Sequence, residues 1–295
     1  MPLQIRPADP TRPDFVGEVA DIDLRHADDA VQNAIELAMD RYAVLVFHGQ
    51  FFADNEQIDF SSRFGSLGVS TISLHPDHRQ RFDSRLTDVS NIDIDNKIVP
   101  PTDRRWNGSM ANRLWHTDAS FKTLPASYSM LSARVVPSWG GDTEFADLRA
   151  AYDALSPQMK ARLEDLVALH SIAFSRTKLG FSDFSPNETK THAPVPQPLV
   201  RTLPRSGRKT LYLASHAGEI VGMTVPEGRM LLNDLTEQAT QREFVYRHTW
   251  KVGDFVIWDN RCTMHRGREF DMSEVRDMRR TTVNDPMPPM AQHRS

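Results

Sequence analysis

Residues 243–267 read EFVYRHTWKVGDFVIWDNRCTMHRG, and the division of this stretch into strands and a turn decides the expected fold. Glu243–Trp250 and Asp254–Trp258 are rich in Val, Ile, Phe, Tyr and Trp, and both are read as strands. Asp259, Asn260 and Arg261 close the second strand as a polar turn, and His265 follows it. Arg279–Val283 continues the pattern downstream. Upstream, Tyr128–Val136, Asp142–Phe145, Leu211–Ala214 and the apolar run Ala43–Phe47 also read as strands.

Helical periodicity is confined to intervening segments. It is expected over Ala30–Tyr42 behind an Asp28/Asp29 cap, and over Leu148–Leu155, Pro157–His170 and Pro226–Ala239. A further helix should start at Asp54, with Gln57 as its capping-box partner, and stop at Gly65. Many short strands with helices between them fit a mainly β fold, an antiparallel jelly roll (a double-stranded β-helix) flanked by helices. With no internal repeat and no linker, residues 1–295 are expected to form one domain. Two stretches, 66–110 and 174–198, lack sustained periodicity and are expected to be irregular loops covering the site, the first with strand pieces near Leu86–Ile94.

Composition narrows the function. The chain is 39% hydrophobic and 25% charged, with a formal net charge of −4, which argues against a nucleic-acid footprint. No stretch approaches the roughly 18 apolar residues of a membrane span, and the first residues carry no apolar signal region. Cys262 stands alone, so neither an internal disulfide nor a Cys-based zinc site is available. A reducing cytoplasm is the expected setting.

Chemistry concentrates at Trp115-His116-Thr117-Asp118. On extended chain, residues i and i+2 point the same way, so His116 and Asp118 can reach one point. A distant His265 can supply the third corner of a two-His, one-carboxylate metal site whose opposite face is open, the ligand set of non-haem Fe(II) oxygen chemistry. A buried His bonded to its neighbouring Asp, and a lone core His at 265, remain the plain alternatives. The turn at 259–261 is placed to supply hydrogen bonds that orient a ligating imidazole. In the run SEVRDMRRTTVND at 273–285, Arg276 and Arg280 share one face about 13 Å apart if extended. Two inward guanidinium forks imply two anions. Arg279 faces the other way and reads as a solvated base.

Taken together, HTD at 116–118, GGDTEF at 140–145, WDNRCTMHRG at 258–267 and the Arg276/Arg280 pair resemble the taurine dioxygenase/TfdA family of Fe(II)- and 2-oxoglutarate-dependent dioxygenases. The likeness runs from about Val16 to Asp285. It is strongest to the branch acting on 2,4-dichlorophenoxyacetate, through RYAVLVFHGQ at 41–50, residues 126–155 and residues 239–262. The resemblance implies that His116, Asp118 and His265 hold Fe(II). It also implies that Thr143 and Arg276 bind the far carboxylate of 2-oxoglutarate, and that Arg280 meets the anionic group of the substrate. Asn112, His216 and Lys97 match pocket positions of the family. Phe82, Trp106 and Phe184 are candidates for an aromatic lining. Where the herbicide branch has a lysine, Ser73 stands here, which removes one cation for the substrate carboxylate.

The implied reaction uses O2 and 2-oxoglutarate to hydroxylate an aryloxyalkanoate, giving a phenol and glyoxylate beside succinate and CO2. The same chemistry on an alkyl sulfonate or sulfate ester is the second reading, and a non-catalytic metal-binding barrel is the third. A small anionic aromatic substrate is expected, with no nucleic-acid or membrane partner, in a homo-oligomer.

Overall fold

Strands that are apolar on both faces need cover on both sides, and the central strands here are of that kind. The computed structural model describes residues 3–70, 80–181 and 193–293. Its main sheet contains β1 (Gln4–Pro7), β2 (Val16–Ala20), β3 (Val44–Phe47), β4 (Thr87–Asp88) and β5 (Ala126–Val135). The second layer is built from β6 (Thr143–Asp147), β7 (Val167–His170), β8 (Val195–Pro198), β9 (Val200–Thr202), β10 (Lys209–Leu211), β11 (Ala217–Ile220), β12 (Val245–His248) and β14 (Thr263–Gly267). β13 (Phe255–Asp259) and β15 (Asp277–Asn284) return to the main sheet, whose order is β1-β2-β3-β13-β5-β15-β4. All its pairings are antiparallel except β2 with β3. The opposing layer has β12-β6-β14 and β11-β7-β8 as three-stranded sheets, with β10-β9 as a two-stranded one.

Alternation along the strands assigns the two faces. Val44, Val46, Leu131, Ala133, Val256, Trp258 and Met278 form the core with Phe145 of β6, and the Trp258 and Phe145 rings lie 5.5 Å apart. Leu45, Phe47, Tyr128, Met130, Phe255 and Ile257 pack outward under the helices Asp29–Arg41 and Asp54–Ser62, against Ile35, Met39 and Phe60. The second layer is covered in turn by helices Leu148–Asp153 and Val225–Ala239, through Leu148, Leu231, Leu232 and Leu235. The result is the expected jelly roll with helices on its outer surfaces.

Several boundaries differ from expectation, each for a local reason. Helix Pro157–Leu163 ends early, and Val167–His170 pairs with β8 and β11 as a strand. That short apolar run fits either period, and the neighbouring strands decide it. At the second helix, Glu56 and not Gln57 accepts from the Ala53 backbone N–H, at 2.6 Å. Gln57 turns inward and bonds Ser132 and the Arg279 carbonyl. In 66–110, β4 falls within the strand pieces expected near Leu86–Ile94, while helix Arg104–Ala111 there, and the end of helix Ile172–Thr177 and β8 in 174–198, depart from the irregular loops expected. Ser73 and Phe184 lie outside the described residues. No helix among the described residues is long and apolar enough to cross a membrane.

Candidate metal centre and its anion-binding flank

The two halves of the site are joined by backbone. His116 pairs with His265 of β14 in an antiparallel bridge, each N–H donating to the other's carbonyl at 3.0 and 2.8 Å. The imidazoles therefore stand side by side, with ring centroids 4.2 Å apart. Alternation then sends Thr117 the opposite way, where its buried hydroxyl donates to the Leu213 and Thr263 carbonyls. Asp118 returns to the His116 side, and Ala119, at φ 55°, turns the chain away immediately after it. The ligand atoms of His116, Asp118 and His265 all lie within 4.8 Å of one another, and all three residues are buried.

The donor set fits a cation. The His116 Nδ1–H donates to the Leu114 carbonyl at 2.7 Å; a carbonyl can only accept, so the Nε2 lone pair faces the centre. His116 Nε2 and His265 Nε2 stand 3.8 and 3.7 Å from the Asp118 carboxylate, too far for hydrogen bonds. Burial pushes both imidazoles below their ordinary value, so they are neutral and able to ligate. Burial opposes ionisation of Asp118, but the Arg280 guanidinium outweighs it, helped by the Ser129 hydrogen bond, and holds the carboxyl well below the usual range. Ser129 Oγ donates to Asp118 Oδ2 at 2.7 Å, and Asn260 bonds both Ser129 and the Asp118 backbone N–H. The polar turn thus orients the carboxylate and not an imidazole. Its other two members, Asp259 and Arg261, pair with each other.

Beside this centre lie two arginines with unmet capacity. Arg276 is buried; its Nη1 donates to the Val89 carbonyl at 2.8 Å, and its guanidinium lies over Phe270 at 5.5 Å. No carboxylate among the described residues pairs with it, and burial lowers its pKa to about 10. Its Nε lies 3.5 Å from where a side chain on Gly141 would begin, two residues before Thr143. Arg280 Nη1 donates to Asp118 Oδ1 at 2.6 Å, while its buried Nε has no partner. Both arginines therefore carry N–H groups suited to an anion.

His216 is also at the centre. Its ring meets His116 edge-on at 6.3 Å and Phe121 at 4.9 Å, and its Nδ1 is 2.8 Å from Ser175 Oγ. The half-buried Asn112 contributes its carbonyl, which accepts from the Gly267 N–H at 2.8 Å and so continues the His116–His265 ladder. Lys97 is brought no closer than an exposed turn closed on Asp93, and it is not packed on the triad. Phe82 is on the wrong face. It stacks under Arg279 at 4.2 Å and Arg81 at 5.5 Å, outside the main sheet. Arg279 itself is not solvated; it is ion-paired with Asp277 and Asp54. Trp106 is half-buried on helix Arg104–Ala111.

Sequence reasoning missed three contributors. Ser129, with the expected Asn260, braces Asp118. Lys122, four residues past Asp118, donates to the Val69 carbonyl at 3.1 Å, and burial and then Arg280 lower its pKa. Arg176, beside Ser175, opposes protonation of His116 and His216. Only Lys122 carries a local signal, its closeness to the HxD stretch.

Comparison with known proteins agrees with this geometry. The family model described as taurine catabolism dioxygenase TauD, TfdA family, matches residues 4–282. An alpha-ketoglutarate-dependent 2,4-dichlorophenoxyacetate dioxygenase of Cupriavidus pinatubonensis is 48% identical, over 94% of this chain and 97% of the relative. An (S)-phenoxypropionate/alpha-ketoglutarate-dioxygenase of Sphingobium herbicidovorans is 37% identical, over 94% of this chain and 93% of the relative. Among solved structures, AAD-2 in complex with Mn(II) and N-oxalylglycine aligns with a TM-score of 0.89 at 48% identity, covering 98% of this chain and 99% of that one.

Proposed function

The chain belongs to the TauD/TfdA dioxygenase family, and on that premise we propose that it hydroxylates an aryloxyalkanoate such as 2,4-dichlorophenoxyacetate, using Fe(II), 2-oxoglutarate and O2. The observations that carry this reading are a partly buried Arg280 that pairs with Asp118 of the neutral-His, ionised-Asp triad and keeps an unmet Nε–H, and a buried Arg276 beside Gly141 with no carboxylate partner among the described residues. His116, Asp118 and His265 would hold the metal. When bound with 2-oxoglutarate and O2, Fe(II) supplies the oxidising chemistry that converts the keto acid to succinate and CO2 and delivers one oxygen atom to a substrate C–H bond.

The protein's own part is placement. Arg276 and Thr143 take the distal carboxylate of the keto acid, so its other end is directed to the triad. The Arg280 Nε, buried without an acceptor, takes the substrate carboxylate, and the carbon next to that carboxylate is then the one held nearest the triad. His216 and Phe121 provide aromatic walls that exclude water. Hydroxylation at a carbon bearing an ether oxygen gives a hemiacetal, which collapses to a phenol and glyoxylate. Asn112 completes the substrate pocket in this reading through its backbone brace, whereas Lys97, on its exposed turn, takes no part. Residues 1–295 act as one catalytic domain, in a cytoplasmic homo-oligomer.

Succinate release from 2-oxoglutarate, measured with and without each of a panel of aryloxy, sulfonate and sulfate-ester acids, tests the proposal. Aryloxyacetates should stimulate succinate release and yield phenol. Stimulation by a sulfonate or sulfate ester alone would transfer the reading to the second substrate class. No stimulation by any acid, in protein that binds iron, would leave a metal-binding barrel without catalysis.

A further inference from the structure

Thr143 is braced by a residue far from it in sequence. Its backbone is pinned on both sides, against His248 of β12 and Gly267 of β14. Its buried Oγ1 accepts from the Trp250 indole N–H at 2.9 Å. A threonine hydroxyl has one proton to donate and two lone pairs, whereas an indole N–H can only donate. With Trp250 in place, Thr143 must act as acceptor on that side. Among the described residues, no acceptor takes the Thr143 proton in return.

The indole is itself held from behind. The His248 ring meets Trp250 edge-on, with centroids 4.6 Å apart and planes at 89°. His248 Nε2 lies 3.1 Å from Asp254 Oδ2, and Asp254 also accepts from the Lys251 N–H at 2.9 Å and contacts His48 Nδ1 at 2.6 Å. Trp250 and Asp254 are both buried. The indole N–H is therefore fixed in direction before any ligand arrives.

We propose that Trp250 is a positioning residue for 2-oxoglutarate: its N–H occupies one lone pair of Thr143 and leaves the hydroxyl proton aimed at the distal carboxylate beside Arg276. Without that N–H, the hydroxyl rotor is free to turn, and the carboxylate meets a threonine oriented at random among its staggered positions. The inference rests on the reading that Thr143 and Arg276 bind the co-substrate.

The test is a double-mutant cycle on the Mn(II)-loaded protein, read as the equilibrium dissociation constant for N-oxalylglycine by calorimetry. The variants are Trp250→Phe, Thr143→Val and the pair. Replacing Trp250 with benzothienylalanine, which keeps the bicyclic shape and removes the donor, covers the case in which the Phe variant does not fold. We expect each single change to weaken binding about tenfold, the scale of one hydrogen bond to a charged group. The pair should be no weaker than Thr143→Val alone, and Mn(II) affinity should be unchanged. Turnover should show the same split, with KM for 2-oxoglutarate raised and KM for the aryloxy acid unmoved. If Thr143→Val weakens binding and removal of the indole donor does not, or if the two effects add, the positioning role is overturned. If Thr143→Val itself leaves binding unchanged, the assignment of Thr143 falls first, and this inference falls with it.

Discussion

Replacing Arg276 with Met should make the metal-free protein more stable while removing its co-substrate binding. Burial lowers the guanidinium from an ordinary 12.5 to about 10. At about 1.4 kcal/mol per unit, holding the charge costs the folded chain about 3 kcal/mol. The sign follows from linkage. A cation whose pKa is depressed on folding is disfavoured at every pH below the folded value, so the cost is fully present at neutral pH. Met matches the length of the side chain and removes the charge. It also removes the bond to the Val89 carbonyl and the stacking on Phe270, which return about 1.5–2 and about 0.5 kcal/mol. The balance is about 1 kcal/mol in favour of the variant, or roughly 2 °C in Tm. Urea unfolding of metal-free wild type and Arg276→Met measures it. Thermal shift with Mn(II) and 2-oxoglutarate supplies the other half, since loss of a buried charge partner costs about 2 kcal/mol or more, about thirtyfold in affinity. A variant destabilised by about 1 kcal/mol or more would mean that the guanidinium is a structural ion, and the reasoning would fail.

Two further outcomes follow from the same kind of accounting. His170 is fully buried, with Nδ1 on Ser120 Oγ and Nε2 without a partner, and burial lowers its pKa to about 3. Its folded value is depressed, so its contribution is present above pH 6.5 and is lost as pH falls. At pH 5 the unfolded chain has gained about 1.5 units of protonation free energy, so His170→Phe should shrink the stability lost between pH 7.5 and 5 by about 2 kcal/mol; equal losses in both proteins would contradict this. For Arg280→Ala, KM for the aryloxy acid should rise more than tenfold while 2-oxoglutarate binding changes little. Because Arg280 helps keep Asp118 ionised, the acid limb of Mn(II) binding should also move to higher pH. An effect confined to the keto acid would overturn the assignment.

What the sequence makes legible is what repeats along the chain. The i, i+2 spacing of His116 and Asp118 predicts their common side, and the continuous apolar runs of β3 and β13 predict a layer covered on both faces. Less legible are contacts made across the fold. Trp250 is 107 residues from the hydroxyl it braces, and Ser129 reaches Asp118 only because β5 passes behind it. Phe82 misleads because an aromatic in a long loop carries no signal of which sheet face it will meet. Arg279 misleads because an outward side chain on a sheet is solvated only if no helix covers it, and here the N-terminus of helix Asp54–Ser62 does.

The arginines nonetheless carry a readable distinction. At Asp23/Arg25, Asp83/Arg85, Asp147/Arg149, Asp259/Arg261 and Asp277/Arg279, an aspartate two residues earlier pairs with the guanidinium. In four of these, the same carboxylate also accepts from the arginine's backbone N–H, a local turn that fixes both partners together. Such an arginine brings its own counter-charge and can be buried at little cost, as Arg149 and Arg261 are. Arg276 and Arg280 lack that partner. Glu274, two residues before Arg276, bonds the Ser138 N–H and hydroxyl instead, and Met278 precedes Arg280. A buried cation without its own acid, as Arg276 is, is expensive unless an anion arrives, and Arg280 has for its partner only Asp118 of the one His/Asp/His cluster found among the described residues. Inserting an acid at 278 by Met278→Asp should therefore be tolerated poorly, since Met278 faces the core between the sheets. The cost of leaving Arg276 without an acid, and Arg280 with only the metal-site carboxylate, is thus tied to the same inward face that gives them access to a ligand.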